Sequence, residues 1–353
     1  MPTPDTFDPA STSPPPLPPG YSPRLWTPND GQRPPTDLTL REAFERYILP
    51  DLRENQRKRN TIREYLNALR HWEAHTTDPA IAYVDKDVAK NFVRSITGPL
   101  AAETVGKVWR HLRPIFRRYA PAANGNPDGM GLIETVPRPK MPKVKRANNR
   151  AATIEEAAAF YAACDVATWP HCDNISPAIF WRAGIVFLWE LGPRCFDLFC
   201  MDPANEATGG WRFKNVNWIA RSIRFRLEKT SDADQPDEIA VPCSSAVMAH
   251  LTAIRSTRAA VLPVTKCRGD FYESWHKIRI AAGIEDKEFT PQCVRRACQT
   301  EFDWLHMGLG DYIVGHIPSG VGPQYYRNFG KKARETIEQL PRPPAFTSLV
   351  AVA

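Results

Sequence analysis

Eight cysteines are present among the 353 residues, yet no two stand in a C-x-x-C arrangement. Zinc ribbons, zinc fingers and dithiol redox sites depend on such pairs, so the spacing excludes them and offers no disulfide framework. Cys164, Cys172, Cys195, Cys200, Cys243, Cys267, Cys293 and Cys298 are expected as reduced thiols. Several lie in apolar stretches, where a free thiol behaves as a small hydrophobe, and this usage suits a cytoplasm. Long apolar runs are also lacking. The most apolar stretch, Ala178 to Leu191, is interrupted by Arg182 and Glu190 and is too short to span a bilayer. The first residues are proline-rich and lack the apolar core of a secretory signal. No carboxylate cluster suited to Mg²⁺ stands out. The expectation is a soluble protein with no membrane association, no metal and no other cofactor.

What is present is a normal globular complement, with 42% hydrophobic residues, enough for two domains that each bury a core. A formal net charge of +7 favours an anionic partner. Residues 1–37 form a tail in which proline dominates, and no fold is expected there. Order is expected from Thr39, where Thr39-Leu40-Arg41-Glu42 fits a capping box. Further helices are predicted from Thr61 to Trp72, from Asp85 to Ile96 and from Ala102 to Tyr119. They make a small all-helical domain over residues 38–122. Arg53, Arg57, Lys58, Arg59 and Arg63 cluster before and within its second helix, as a DNA-binding face or simply a solvated one. Residues 123–150 read as a basic interdomain linker. Its end holds Lys143, Lys145 and Arg146 among six basic residues and no acid, which suits a segment that follows a phosphate backbone.

A second domain is predicted over residues 151–345, with a short tail at 346–353. It opens on another capping box, Thr153 to Glu156, and continues with a buried helix from Pro177 to Leu191 that Gly192 and Pro193 stop. Alternation over Ser222 to Leu227 and a return strand over Glu238 to Val241 predict a hairpin with Lys229 at its mouth. Helices are expected again at Ser244 to Ala259, at Asp270 to Ala282 and at Pro291 to Met307, the last with Thr290 as N-cap. The fold class is therefore mainly α with a small β element.

That framework positions a set of polar residues. Arg194 follows the buried helix, Arg295 and Arg296 lie in the first turns of another, and His316 sits in a short loop after Gly315. Tyr325 and Tyr326 follow nine and ten residues after that histidine. Guanidiniums clamp non-bridging phosphate oxygens bidentately and stabilise a pentacovalent transition state. A phenol can attack in line, and Lys229 can protonate the departing oxygen.

The pattern resembles the tyrosine recombinase (phage integrase) family. Leu191-Gly192-Pro193-Arg194-Cys195-Phe196-Asp197-Leu198 is similar to the family's first arginine box, and Lys229-Thr230 to its hairpin lysine. Thr290-Pro291-Gln292-Cys293-Val294-Arg295-Arg296 is similar to the second arginine box, and Val314-Gly315-His316 to the Gly-His box. Tyr325 and Tyr326 occupy the nucleophile position, with Tyr326 favoured. The resemblance covers about residues 38–340. It implies a SAM-like helical core-binding domain and an α-rich catalytic domain of the DNA breaking-rejoining fold. It also implies site-specific recombination of double-stranded DNA through a 3′-phosphotyrosyl intermediate, without metal or ATP. A homotetramer on paired DNA sites, accessory DNA-bending proteins, and a bacterial or phage protein at the nucleoid belong to the same expectation. One position departs: Gln292 stands where the family usually has histidine. An amide donates a hydrogen bond but shuttles no proton at neutral pH. This leaves open a weakened relative that binds DNA without cutting it, and a type IB topoisomerase-like relaxing enzyme is a further alternative.

Overall fold

A computed structural model describes residues 37–55, 59–123, 126–144, 150–172, 175–200, 210–226, 238–264, 268–316 and 323–348, without the side chains of 59–60, 225–226, 238, 268 and 323–327. The chain divides into two compact units, 1–145 and 146–353.

In the first unit, α1 (Leu40–Ala43) runs through a π turn at Phe44–Ile48 into α2 (Leu49–Glu54). Both halves of the expected capping box form, between Thr39 and Glu42. Then follow α3 (Arg59–His75), α4 (Lys86–Ile96) and α5 (Ala102–Tyr119). Asp85 caps α4 by accepting from the amides of Asp87 and Val88 at 2.8 Å. On α5 the apolar stripe Val105, Val108, Leu112 and Ile115 is buried, as its helical spacing requires. Trp72, Phe92, Trp109 and Phe116 pack ring on ring at the centre, at centroid distances from 4.9 to 6.5 Å.

The stretch expected as a linker behaves otherwise in its first part. Residues Pro121–Ala123 (β1) and Asn126–Met130 (β2) pair as an antiparallel hairpin, and Ile133, Val136 and Met141 pack against the core of the first unit. Scattered apolar residues among prolines show no periodicity, so the sequence carried no sign of this packing.

The second unit is built around α7 (Pro177–Leu191), which lies between α6 (Ile154–Ala163) and the elements that follow. Eleven of its residues are buried, Glu190 among them. After α7 come α8 (Cys195–Leu198), β3 (Phe199–Cys200), β4 (Val216–Asn217), β5 (Ser222–Arg226) and β6 (Glu238–Pro242). Strands β4, β5 and β6 form an antiparallel sheet in that order, with Ile223 opposite Val241. The expected hairpin is thus β5 and β6, and Lys229 falls outside the described residues. α9 spans Ser245–Ala253 and does not reach Ala259. Arg258 turns back there, donating to the carbonyls of Ile254 at 2.7 Å and Ala260 at 3.0 Å. The chain then enters β7 (Leu262–Pro263), which pairs in parallel with β3, a contact with no local signal. The unit closes with α10 (Arg268–Ala281), α11 (Pro291–Leu305), α12 (Leu309–Ile313) and α13 (Pro323–Thr336).

Five of the cysteines, Cys164, Cys200, Cys243, Cys293 and Cys298, are buried; Cys172 and Cys195 are half-buried, and Cys267 lies outside the described residues. Each charge inside the apolar helix α7 has a partner. Arg182 reaches Asp165 at 2.6 Å, and the fully buried Glu190 reaches Arg342 at 2.8 Å. No described helix is long and apolar enough to cross a membrane. Burial pushes the Glu190 carboxyl up to about 7, against the opposing pull of Arg342. Replacing Arg342 by Ala strands the buried carboxylate, at an expected cost of about 3–5 kcal/mol. The sign follows from linkage: without Arg342 the folded-state pKa rises further above the unfolded value. The loss in urea unfolding should therefore be larger at pH 8 than at pH 5, where Glu190 is protonated.

Candidate active site

Gly192 ends α7 in the left-handed region, at φ 52°, with its amide on the Leu188 carbonyl at 3.1 Å. A β-carbon there would lie 2.8 Å from Val314 Cγ1 and 2.9 Å from Cys298 Sγ. Glycine is thus required both for the turn and for the close approach of α11. Two residues on, Arg194 forms the N-cap of α8 without a side-chain capping bond. Its guanidinium lies 3.5 Å from the carboxylate of Asp197, which is 2% exposed.

The second arginine comes from α11. Thr290 caps this helix through the Cys293 amide, as expected. Its buried face carries Pro291, Val294, Arg295, Cys298 and Phe302, so Arg295 is a cation on an apolar stripe. Only 2% of Arg295 is exposed. Its Nη1 donates to the Gly192 carbonyl at 2.5 Å and its Nη2 to the Val314 carbonyl at 2.7 Å. Nη2 also lies 3.3 Å from His316 Nε2.

α12 carries the third component. Gly310 lies so close to α11 that a β-carbon would come within 2.1 Å of the Gln299 carbonyl oxygen. Asp303 Oδ1 accepts from the Gly308 and Gly310 amides at 3.1 and 2.9 Å. The chain then turns at Gly315, φ 70°, and the His316 amide donates to the Asp311 carbonyl at 2.8 Å.

Arg194, Arg295 and His316 are therefore brought to one place, although 122 residues separate the first from the last (316 − 194). Arg296, the next residue on the helix, is half-buried, and adjacent helical positions point about 100° apart. Gln292 is exposed on the first turn of α11. Tyr325 and Tyr326 lie on α13, but their side chains, like the whole of Lys229, fall outside what is described. In the first unit Arg63 is exposed, as is Lys143. Arg57, Lys58, Lys145 and Arg146, and the side chain of Arg59, are outside the described set.

Burial, and then the neighbouring Arg194, press Arg295 down to about 10, with Asp197 opposing. It stays charged at neutral pH. Burial, Arg295 and Arg194 hold His316 below its ordinary 6.5, while Asp311 opposes them. The cluster is thus two cations and a neutral imidazole, an arrangement that an incoming anion relieves.

Two features escaped the sequence reading. Asp311 and Gln299 stand behind His316, with Gln299 Nε2 on Asp311 Oδ1 at 2.8 Å. On α5, Arg110, Arg113 and Arg117 occupy exposed positions. Their i, i+3, i+7 spacing opposite the buried stripe was the available signal.

No protein-family profile matches the chain, and no curated protein matches it by sequence. Solved structures do match its fold. A lambda integrase tetramer bound to a Holliday junction aligns with a TM-score of 0.57 at 15% identity, over 86% of this chain and 84% of that one. A lambda integrase dimer on a core site gives 0.56 at 15%, over 80% and 97%. The Tn1549 transposon integrase with a circular intermediate DNA gives 0.55 at 16%, over 86% and 100%. The fold is that of the tyrosine recombinases. This chain carries it at an identity far below what sequence comparison detects.

Replacing Gly192 by Ala puts a side chain at positive φ against Val314 and Cys298, at a cost of about 1–3 kcal/mol in strain alone. Chemical denaturation should show that loss. A variant as stable as the parent would mean that the α7–α11 contact tolerates a β-carbon.

Proposed function

We propose that this protein cuts and rejoins duplex DNA as a site-specific recombinase with a tyrosine nucleophile, Tyr326. The observation that carries this reading is the Arg295 junction. One buried guanidinium bonds the Gly192 carbonyl within the first arginine box, the carbonyl before the Gly-His pair, and the histidine itself. Residues that resemble separate recombinase boxes in sequence thus share one cationic site. The likeness of fold to integrases solved on DNA supports the same reading.

In the proposed reaction Arg194 and Arg295 hold the non-bridging oxygens of the scissile phosphate and stabilise the added negative charge of the transition state. The Tyr326 oxygen attacks phosphorus in line, forming a 3′-phosphotyrosyl bond as the bond to the 5′ oxygen breaks. Lys229 gives the leaving oxygen its proton. The free 5′ hydroxyl of a partner strand then attacks the phosphotyrosine and releases the enzyme. Because the covalent link keeps the energy of the broken bond, no ATP is consumed. Four copies on two duplexes complete the exchange, as in the assembly of lambda integrase on a Holliday junction. The arginine face of α5, with Arg63 of α3, contributes phosphate contacts.

A nicked suicide-duplex library, with covalent adducts trapped on denaturing gels, tests the chemistry. Tyr326→Phe should abolish the adduct and Tyr325→Phe should keep it; adduct from both single variants would defeat the assignment. Arg194→Ala or Arg295→Ala should slow cleavage by about 10²–10³-fold. In a separate measurement, affinity for a random-sequence duplex should fall steeply with salt. Removing Arg110, Arg113 or Arg117 should lower the log–log slope by about 1 each. A flat salt response would count against a phosphate-tracking surface.

A further inference from the structure

We propose that Asp311, braced by Gln299, is a positioning residue that fixes His316 in its Nδ1–H tautomer and leaves Nε2 as the proton acceptor for the attacking phenol. The inference rests on the recombinase reading and deepens it by naming the base of that site.

The tautomer follows from which partner stands at each ring nitrogen. Nε2 faces Arg295 Nη2 at 3.3 Å. A guanidinium has only donors, so Nε2 must present its lone pair. Nδ1 faces Asp311 Oδ1 at 3.5 Å. A carboxylate only accepts, so the proton belongs on Nδ1. Both partners are fixed from outside the ring. Arg295 is clamped by the carbonyls of Gly192 and Val314. Asp311 is held at its side chain by Gln299 Nε2 and at its carbonyl by the His316 amide, each at 2.8 Å. The approach of Gly310 to the Gln299 carbonyl and the Asp303 bonds keep α12 in place on α11.

The charged groups that act on His316 among the described residues are Arg295 of α11, Arg194 before α8 and Asp311 of α12. Burial, and after it the two arginines, hold the ring below its ordinary basicity, and Asp311 opposes them. Gln292 is exposed, and a carboxamide does not accept a proton at neutral pH. His306, at the C-terminal end of α11, packs its ring edge-on to Phe329 instead.

The step balances as follows. The phenol O–H bond breaks and its proton passes to His316 Nε2, while the phenol oxygen bonds to phosphorus. The bond from phosphorus to the 5′ oxygen breaks, and that oxygen takes a proton from Lys229. Resealing runs both transfers backwards and restores both residues. As the phosphate enters, Arg295 Nη2 exchanges the imidazole for a phosphate oxygen, which frees the Nε2 lone pair.

Two measurements on the full chain test this. Long-range ¹⁵N NMR on histidine-labelled protein should show His316 as the Nδ1–H form, titrating below 6.5. In Asp311→Asn only Arg295 still favours that form, so a detectable share of the Nε2–H tautomer should appear. Cleavage of the suicide duplex should rise with pH along a limb set by His316, because the protonated ring has no lone pair to offer. Asp311→Asn should slow cleavage at least about tenfold and move that limb to lower pH, since the carboxylate that raises the His316 pKa is gone. Gln299→Leu keeps the carboxylate without its brace. It should act in the same direction with a smaller effect, and it serves if Asp311→Asn does not fold. An Nε2–H form in the parent protein overturns the proposal, as does an unmoved pH limb in a folded Asp311→Asn. A parent chain that forms no adduct at any pH defeats the recombinase reading instead, while the tautomer still decides the role of Asp311.

Discussion

A guanidinium 2% exposed to solvent needs acceptors on every side, and Arg295 finds them at the ends of two loops. Losing such a group's hydration is costly unless hydrogen bonds replace it. The Gly192 and Val314 carbonyls provide those bonds only if α7, α11 and α12 keep their positions. The same contacts that make the buried cation tolerable therefore fix the geometry around Arg194, Arg295 and His316. Gly192 and Gly310 matter for this reason. Each removes a β-carbon from a place where two helices meet backbone to side chain or backbone to backbone.

This architecture separates holding from reacting. Arg295 is held largely by main-chain oxygens, and Arg194 lies beside the buried Asp197. Burial first, and then the repulsion of Arg194, lower the basicity of Arg295, and that repulsion is the local cost of keeping two cations together. In the proposed reaction a phosphodiester offsets it. Preorganisation of this kind would let the transition state of the proposed reaction meet charges already in position. Elsewhere in the same unit, the buried pair of Glu190 and Arg342 ties the segment after α13 to α7, and Trp189 adds a bond to the Pro341 carbonyl at 2.9 Å.

Some of the fold could be read directly from local chemistry. Both capping boxes, the Thr290 cap and the apolar stripe of α5 are short-range signals, and the elements form where they indicated. The limits of α9 and the pairing of β3 with β7 were not legible. An arginine side chain turning back on carbonyls settles the first, and two strands 62 residues apart (262 − 200) settle the second. The hairpin at 121–130 and the packing of Ile133, Val136 and Met141 were hidden for a related reason. Isolated apolar residues have no period, and what they cover is decided by helices earlier in the chain.

The sequence by itself determined the identity and order of the candidate site residues, because motif spacing along a chain survives without any knowledge of contacts. Gly192 and Arg194, Arg295, and the Gly315–His316 pair were all visible in this way, and so was the amide at 292. Only the tertiary structure decided that Arg295 is buried and bonded to both loops, and that Asp311 and Gln299 stand behind His316. No spacing rule announces a carboxylate five residues before a histidine as its partner. That relation exists because a short helix, pressed against α11 at a glycine, turns the chain back on itself and brings the two side chains to the same side.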